Sequence, residues 1–147
     1  MCDAKFVFSA AFPEGFIGLE KWLSTEGSIL HVRGMVLNHI NLTVTNAMET
    51  QEFLAKYFGM KPMGKPNPKM TFLTDENGMI LSMFSAPNVT YPETFHIGFA
   101  QETPEKVDEI YRRLKADGYE VDAPSRMHGS WTFYFRAPGG FTIEVLS

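Results

Sequence analysis

The sequence predicts an α+β domain assembled from two copies of a strand–helix–three-strand unit, βαβββ, and so an eight-stranded mixed sheet. Three observations carry this. From Leu37 the chain reads strand, helix and three strands, and then repeats that order. Segments of the two halves overlay: His39-Ile40 on His96-Ile97 at an offset of 57, Thr71-Phe72-Leu73 on Thr132-Phe133-Tyr134 at 61, and Met79-Ile80-Leu81-Ser82 on Phe141-Thr142-Ile143-Glu144 at 62. Finally, 147 residues with 44% hydrophobic and 20% charged side chains suffice for one well-buried core, which excludes a disordered or fibrous chain.

Residues 1–34 read as an N-terminal extension with a short helix over 16–24, and Met35 is an alternative start. The domain proper spans 35–147, with modules over 37–85 and 94–147. The first strand, 37–45, alternates: His39, Asn41 and Thr43 share one face, Ile40, Leu42 and Val44 the other. Asn46 with Glu49 three residues on opens a helix, and Phe53, Leu54, Tyr57 and Phe58 form its apolar stripe before Gly59. Segments 61–65, 69–74 and 79–84 supply three strands, the last two joined by the Asp75-Glu76-Asn77-Gly78 turn.

The second module opens with a strand over 94–100. Thr103-Pro104 is an N-cap followed by proline at the first helical position, Val107, Ile110, Tyr111 and Leu114 make the buried stripe, and Gly118 ends the helix. Strands are expected over 119–123, 131–136 and 141–146. Phe53, Phe58 and Phe99 fall on core faces, whereas Phe72 and Met83 are candidates to line an apolar pocket.

Charge and cysteine usage narrow the function. There are 13 Lys+Arg against 17 Asp+Glu, and no basic run, so the electrostatic footprint of a nucleic-acid binder is missing. No stretch approaches the ~18 apolar residues of a membrane helix. The apolar patch near the N-terminus carries Asp3 and breaks at Pro13, short of a signal peptide, so the expected location is cytoplasmic. A single cysteine, Cys2, excludes an intrachain disulfide or thiolate cluster.

The chemistry gathers on three residues. His39 and His96 occupy matching places on the opening strand of each module, and Glu144 lies on the final strand. A pseudo-twofold between modules would bring both imidazoles to one point beside the carboxylate. Two histidines and one carboxylate with open positions opposite suit Fe(II) best, with Mn(II), Zn(II) or Ni(II) as alternatives.

These residues, with the Leu37-Asn38-His39-Ile40 strand and the run from Arg136-Ala137-Pro138-Gly139-Gly140 through Glu144, resemble the first and last motifs of the vicinal oxygen chelate superfamily. That superfamily includes glyoxalase I, fosfomycin- and bleomycin-resistance proteins and extradiol ring-cleavage dioxygenases. The resemblance implies an open, cup-shaped sheet, with His39, His96 and Glu144 as metal ligands and a homodimer that sometimes exchanges modules. A fourth ligand position falls on Ser82, which argues against a glyoxalase I-like lyase, and the chain lacks the basic tail of the fosfomycin enzymes beyond Glu144. The aromatic pair and Pro-Gly turn before Glu144 resemble the extradiol signature. It assigns His128 as acid/base, one residue closer than the usual pattern, and Tyr134 as a hydrogen-bonding orienter. The expected function is thus a metal-dependent, extradiol-type dioxygenase acting on a small molecule that chelates through two oxygens. A glyoxalase- or fosfomycin-type lyase or transferase, and a metal-free binding cup, are the alternatives.

Overall fold

The computed structural model describes residues 37–65 and 67–147. The helix expected over 16–24, and the extension that contains it, lie outside the described residues. Eight strands and two helices follow in the order β1 (His39–Val44), α1 (Ala47–Phe58), β2 (Lys61–Met63), β3 (Met70–Thr74), β4 (Ile80–Ser85), β5 (His96–Ala100), α2 (Pro104–Ala116), β6 (Ser125–Met127), β7 (Ser130–Arg136) and β8 (Thr142–Leu146). They form two four-stranded sheets, ordered β1-β4-β3-β2 and β5-β8-β7-β6. In each, the opening strand runs parallel to the last and the other neighbours are antiparallel, so each half is a βαβββ unit of an α+β fold.

Local chemistry explains the boundaries. The Asn46 side chain accepts from the Glu49 backbone N–H, so α1 is capped as its sequence requires, and Gly59 ends it in the left-handed region at φ 66°. Proline occupies the start of α2, where its missing N–H costs nothing. Strand alternation then sorts the side chains. Leu42, Val44, Leu73, Leu81 and Met83 of the first sheet, and Phe133, Phe135, Ile143 and Val145 of the second, are buried in one core with the apolar faces of both helices. Met83 is therefore a core residue, not a pocket wall. Phe58 and Phe99 are only partly buried and stack on each other across the modules, 4.1 Å between ring centroids.

Two sequence expectations need correction. The strand expected over 119–123 is absent; Val121 is buried there without a ladder partner, and the pairing position beside β7 is taken by Ser125–Met127. Pro124 breaks the earlier run, and His128-Gly129, with φ of 51° and 89°, supplies the tight hairpin turn that fixes the later one. The overlay of the third strands also slips by one. Phe72 pairs with Ser82, and Tyr134 with Glu144, so Phe72 matches Tyr134 at an offset of 62 instead of 61. A slip of one residue would exchange the two faces of a strand, so the register decides which side chains see the core.

Several contacts join the modules. Tyr57 Oη donates to Asp117, Arg113 donates to the Lys56 carbonyl at 2.7 Å, and Thr45 N donates to the Gly139 carbonyl at 3.2 Å. Tyr91 Oη both accepts from Thr43 N and donates to Thr43 O, at 2.9 and 2.8 Å, which pins the connecting segment against the outer side of β1.

Candidate metal centre

Each sheet turns its second face away from the core. On the second sheet that face carries His96, Gly98 and Ala100 from β5, Thr142, Glu144 and Leu146 from β8, and Thr132, Tyr134 and Arg136 from β7. Glu144 stands at its centre. Its two oxygens have separate duties: Oε1 accepts from Tyr134 Oη at 2.5 Å and lies 3.1 Å from Thr132 Oγ1, while Oε2 lies 3.4 Å from His96 Nε2. The His96 and Tyr134 rings meet edge to face, 5.5 Å apart.

The His96 ring is held in one sense. Its Nδ1 lies 3.0 Å from the Thr94 carbonyl oxygen, which can only accept, so Nδ1 carries the proton. In a neutral imidazole Nε2 then presents a lone pair to a carboxylate oxygen. Two electron-rich atoms at 3.4 Å repel unless positive charge lies between or beside them, supplied either by a second proton on the ring or by a metal ion. The Glu144 side chain is only 14% exposed, and among the described residues no Lys or Arg comes within ion-pair distance of it. A carboxylate so placed calls for positive charge. Cis ligands on a divalent ion, each at about 2.1 Å, are about 3 Å apart, so the spacing suits a metal. His39 is prepared in the same way, with Nδ1 3.1 Å from the Asn38 side-chain oxygen and Nε2 left available.

His96 and Glu144 come together, but no group of three His, Cys, Asp or Glu side chains converges among the described residues, so His39 stays apart. Tyr134, expected as an orienter, is in contact with Glu144. The hydrogen bond to that carboxylate, then burial, then its negative charge push the Tyr134 hydroxyl up to about 12, so it holds its proton at neutral pH. His128 is exposed at the tip of the β6–β7 hairpin. Tyr134 lies four residues from Ser130 along β7, so the hairpin tip is more than about 13 Å from the Glu144 register. Ser82, at the fourth-ligand position, donates to Asn41 on β1. Thr132 was not anticipated as a partner of Glu144; its place on the Tyr134 face of β7, two residues earlier, was the available signal.

Residues 36–145 match the Glyoxalase/Bleomycin resistance protein/Dioxygenase superfamily. The chain belongs to this superfamily. It is similar, at 46% identity and TM-score 0.73, to a structure described as a possible glyoxalase from Bacillus cereus, covering 78% of this chain and 100% of that one. At 20% identity and TM-score 0.61 it shares the fold of a lactoylglutathione lyase from Agrobacterium tumefaciens, over 78% and 94% of the two chains. At 23% identity and TM-score 0.65 it shares that of the fosfomycin resistance protein FosX from Listeria monocytogenes, over 76% and 92%. A mutant of FosX has also been seen complexed with Mn(II) and a dihydroxypropylphosphonic acid. No curated protein matches. Divalent-metal dependence is common in the superfamily, and among the described residues no helix is long and apolar enough to cross a membrane.

Proposed function

We propose that this chain is a divalent-metal enzyme acting on a small molecule that chelates through two neighbouring oxygens, with extradiol ring cleavage as its reaction. The observation that carries the reading is the mostly buried Glu144 carboxylate facing His96 Nε2 at 3.4 Å, with the other ring nitrogen already committed to Thr94. His96 and Glu144 from one copy and His39 from a second would hold the ion, Fe(II) by preference. The strand order supports a site between copies. β1 and β5 each stand at a sheet edge, and His39 and His96 open those two strands. Tyr91 covers the outer edge of β1 at Thr43, so setting the His39 end of β1 in one copy beside the His96 end of β5 in another would bring two four-stranded sheets together as a cup and the histidines with them.

A divalent ion held there supplies Lewis acidity to a chelating oxygen pair. Glu144 fixes the position of that charge, and Tyr134 fixes Glu144 by donating to Oε1 from a hydroxyl that stays protonated. Gly98 is level with Glu144, and because it has no Cβ nothing from β5 crowds Oε2, which a Cβ there would approach to 3.7 Å.

A second reading, a lyase or transferase that opens an epoxide or isomerises a thiol adduct, is favoured by His128. Ring cleavage asks for an acid/base near the substrate, and the hairpin tip is remote from Glu144 of its own chain. Oxygen uptake on a catechol panel, against thiol consumption with an electrophile, separates the two readings. The test of the shared premise is metal content after anaerobic Fe(II) or Mn(II) loading. Near-stoichiometric metal is expected in the wild type and at least a tenfold loss in Glu144→Ala; equal content in the two would leave a metal-free binding cup.

A further inference from the structure

The outward face of the first sheet carries an apolar surface that the fold does not use. Met63, Met70 and Phe84 are 40%, 38% and 43% exposed, and half-buried Phe72 lies among them. Register makes them neighbours: Met70 pairs with Phe84, Met63 with Phe72, and Met70 and Phe72 are two apart on β3. The core takes the alternate residues of the same strands, Thr71, Leu73, Leu81 and Met83. Phe72 pairs with Ser82, Ser82 pairs with Asn41, and Asn41 is two residues from His39 on the same side of β1. The apolar surface and His39 therefore share one face, with Phe72 about 12 Å and Phe84 about 14 Å from His39 by strand rise and spacing.

We infer that this surface is a substrate wall, and that the substrate joins its chelating oxygen pair to an aromatic or branched alkyl group that lies on Met63, Met70, Phe72 and Phe84. The inference rests on the metal-site reading above and names the substrate class for it. Size argues for a small molecule over a protein partner. The three exposed side chains leave on the order of 250 Å² of apolar surface, against about 800 Å² that each partner brings to a stable protein interface. Composition argues the same way, because two flexible, polarisable methionines beside two aromatic rings adapt to a ring or alkyl group. Lys61, level with Thr74 at the far edge, is the charge within those strands, and Lys65 and Lys69 lie just beyond the ends of β2 and β3. The polar groups of the face lie toward His39, where the oxygen pair would sit.

The test compares catechol with 4-tert-butylcatechol, two probes with the same oxygen pair and different apolar bulk. Binding to the anaerobic Fe(II)-loaded full chain is measured by calorimetry. The wild type is expected to hold the tert-butyl compound at least about tenfold more tightly. Phe84→Ser and the near-isosteric Met70→Gln are expected to cut that preference to about twofold or less, while the Kd for catechol and the metal content stay unchanged. Equal binding of both probes by the wild type, or a preference that survives both substitutions, would overturn the wall and leave the metal site standing. A wild type that retains no more metal than Glu144→Ala and binds neither catechol would overturn the metal reading and this inference with it. A change of oligomeric state in both variants, seen by light scattering, would assign the surface to a second copy and overturn the inference as well.

Discussion

Across the first sheet, the row two residues beyond His39 reads Asn41, Ser82, Phe72 and Met63; across the second, the row two residues beyond His96 reads Gly98, Glu144 and Tyr134. The backbones pair identically and the histidines match, yet one row is apolar at its far end and the other is built around a carboxylate. The core-facing residues of both sheets stay apolar, apart from Thr71 with its hydroxyl donated to the Ala47 carbonyl, because each must meet a helix or the other module. The outward faces carry no such duty. One module is thus free to hold charge and the other to hold apolar bulk. A cup made from both would offer a substrate a polar floor and an apolar wall.

The largest expected effect tests whether the two kinds of face cooperate across copies. His39→Ala and Glu144→Ala are each expected to bind almost no metal alone. If two copies share the site, as proposed, co-expression should yield mixed dimers with one complete site, from the intact His39 of one chain and the intact His96 and Glu144 of the other. With half of the dimers mixed, roughly a quarter of the wild-type metal should return. No recovery would place the whole site within one chain and break the comparison.

A second effect concerns the turns that close the last hairpin of each module. Gly78 and Gly140 match at an offset of 62, with φ of 83° and 89°, and a Cβ at either meets nothing closer than 3.6 Å. Gly139, matched by Asn77, is different. At φ 100° a Cβ there would sit 2.6 Å from Thr50 Oγ1 and 3.2 Å from Val44 Cβ, at the joint where module two meets the start of α1. Gly78→Ala and Gly140→Ala should each cost about 1–2 kcal/mol from backbone strain alone. Gly139→Ala should cost about 3 kcal/mol or more, since it adds a clash to that strain. Urea titration reads all three, and equal costs would show that this turn does not hold the modules together.

The duplication was legible because it left marks in local chemistry: the Asn46 and Thr103-Pro104 helix starts, the His-led alternating strands and the turn before Phe141. What misled was short and context-dependent. The run 119–123 has the alternation and β-branching of a strand, but whether an extended segment finds a ladder partner is a tertiary matter, and the His128-Gly129 turn had already fixed the pairing further along. The one-residue slip in the third strands had the same origin, since Thr-Phe in both modules drew the overlay to sequence identity and away from the face each residue takes. For the site, His96 and Glu144 were placed together by pattern. Their hydrogen-bond commitments were not, because they depend on where the Thr94 carbonyl and the Thr132 hydroxyl come to rest. The apolar wall was half-read: Phe72 lies on it, Met83 belongs to the core, and the difference is one position along β3 or β4.

The smallest expected effect is also the most local. Tyr134 takes the place that Phe72 takes in the first module, and only Tyr134 can donate to a carboxylate. In protein stripped of metal with a chelator, absorbance of the tyrosinate form should show one of the five tyrosines titrating near pH 12. Glu144→Gln should return that group toward its ordinary value of 10, because the strongest cause of the shift is the hydrogen bond to the charged carboxylate. The consequence for stability has a definite sign. A folded-state pKa above the unfolded one means that folding favours the protonated hydroxyl, so its contribution is fully present below about pH 10 and is lost as the pH climbs through about 12. The stability advantage of the wild type over Tyr134→Phe should therefore be flat up to about pH 10 and narrow above it, with Tyr57 and the other tyrosines cancelling between the two proteins. An advantage that stays constant to pH 12 would mean that Tyr134 only fills space, as Phe72 does, and that the carboxylate is positioned by Thr132 and His96 alone.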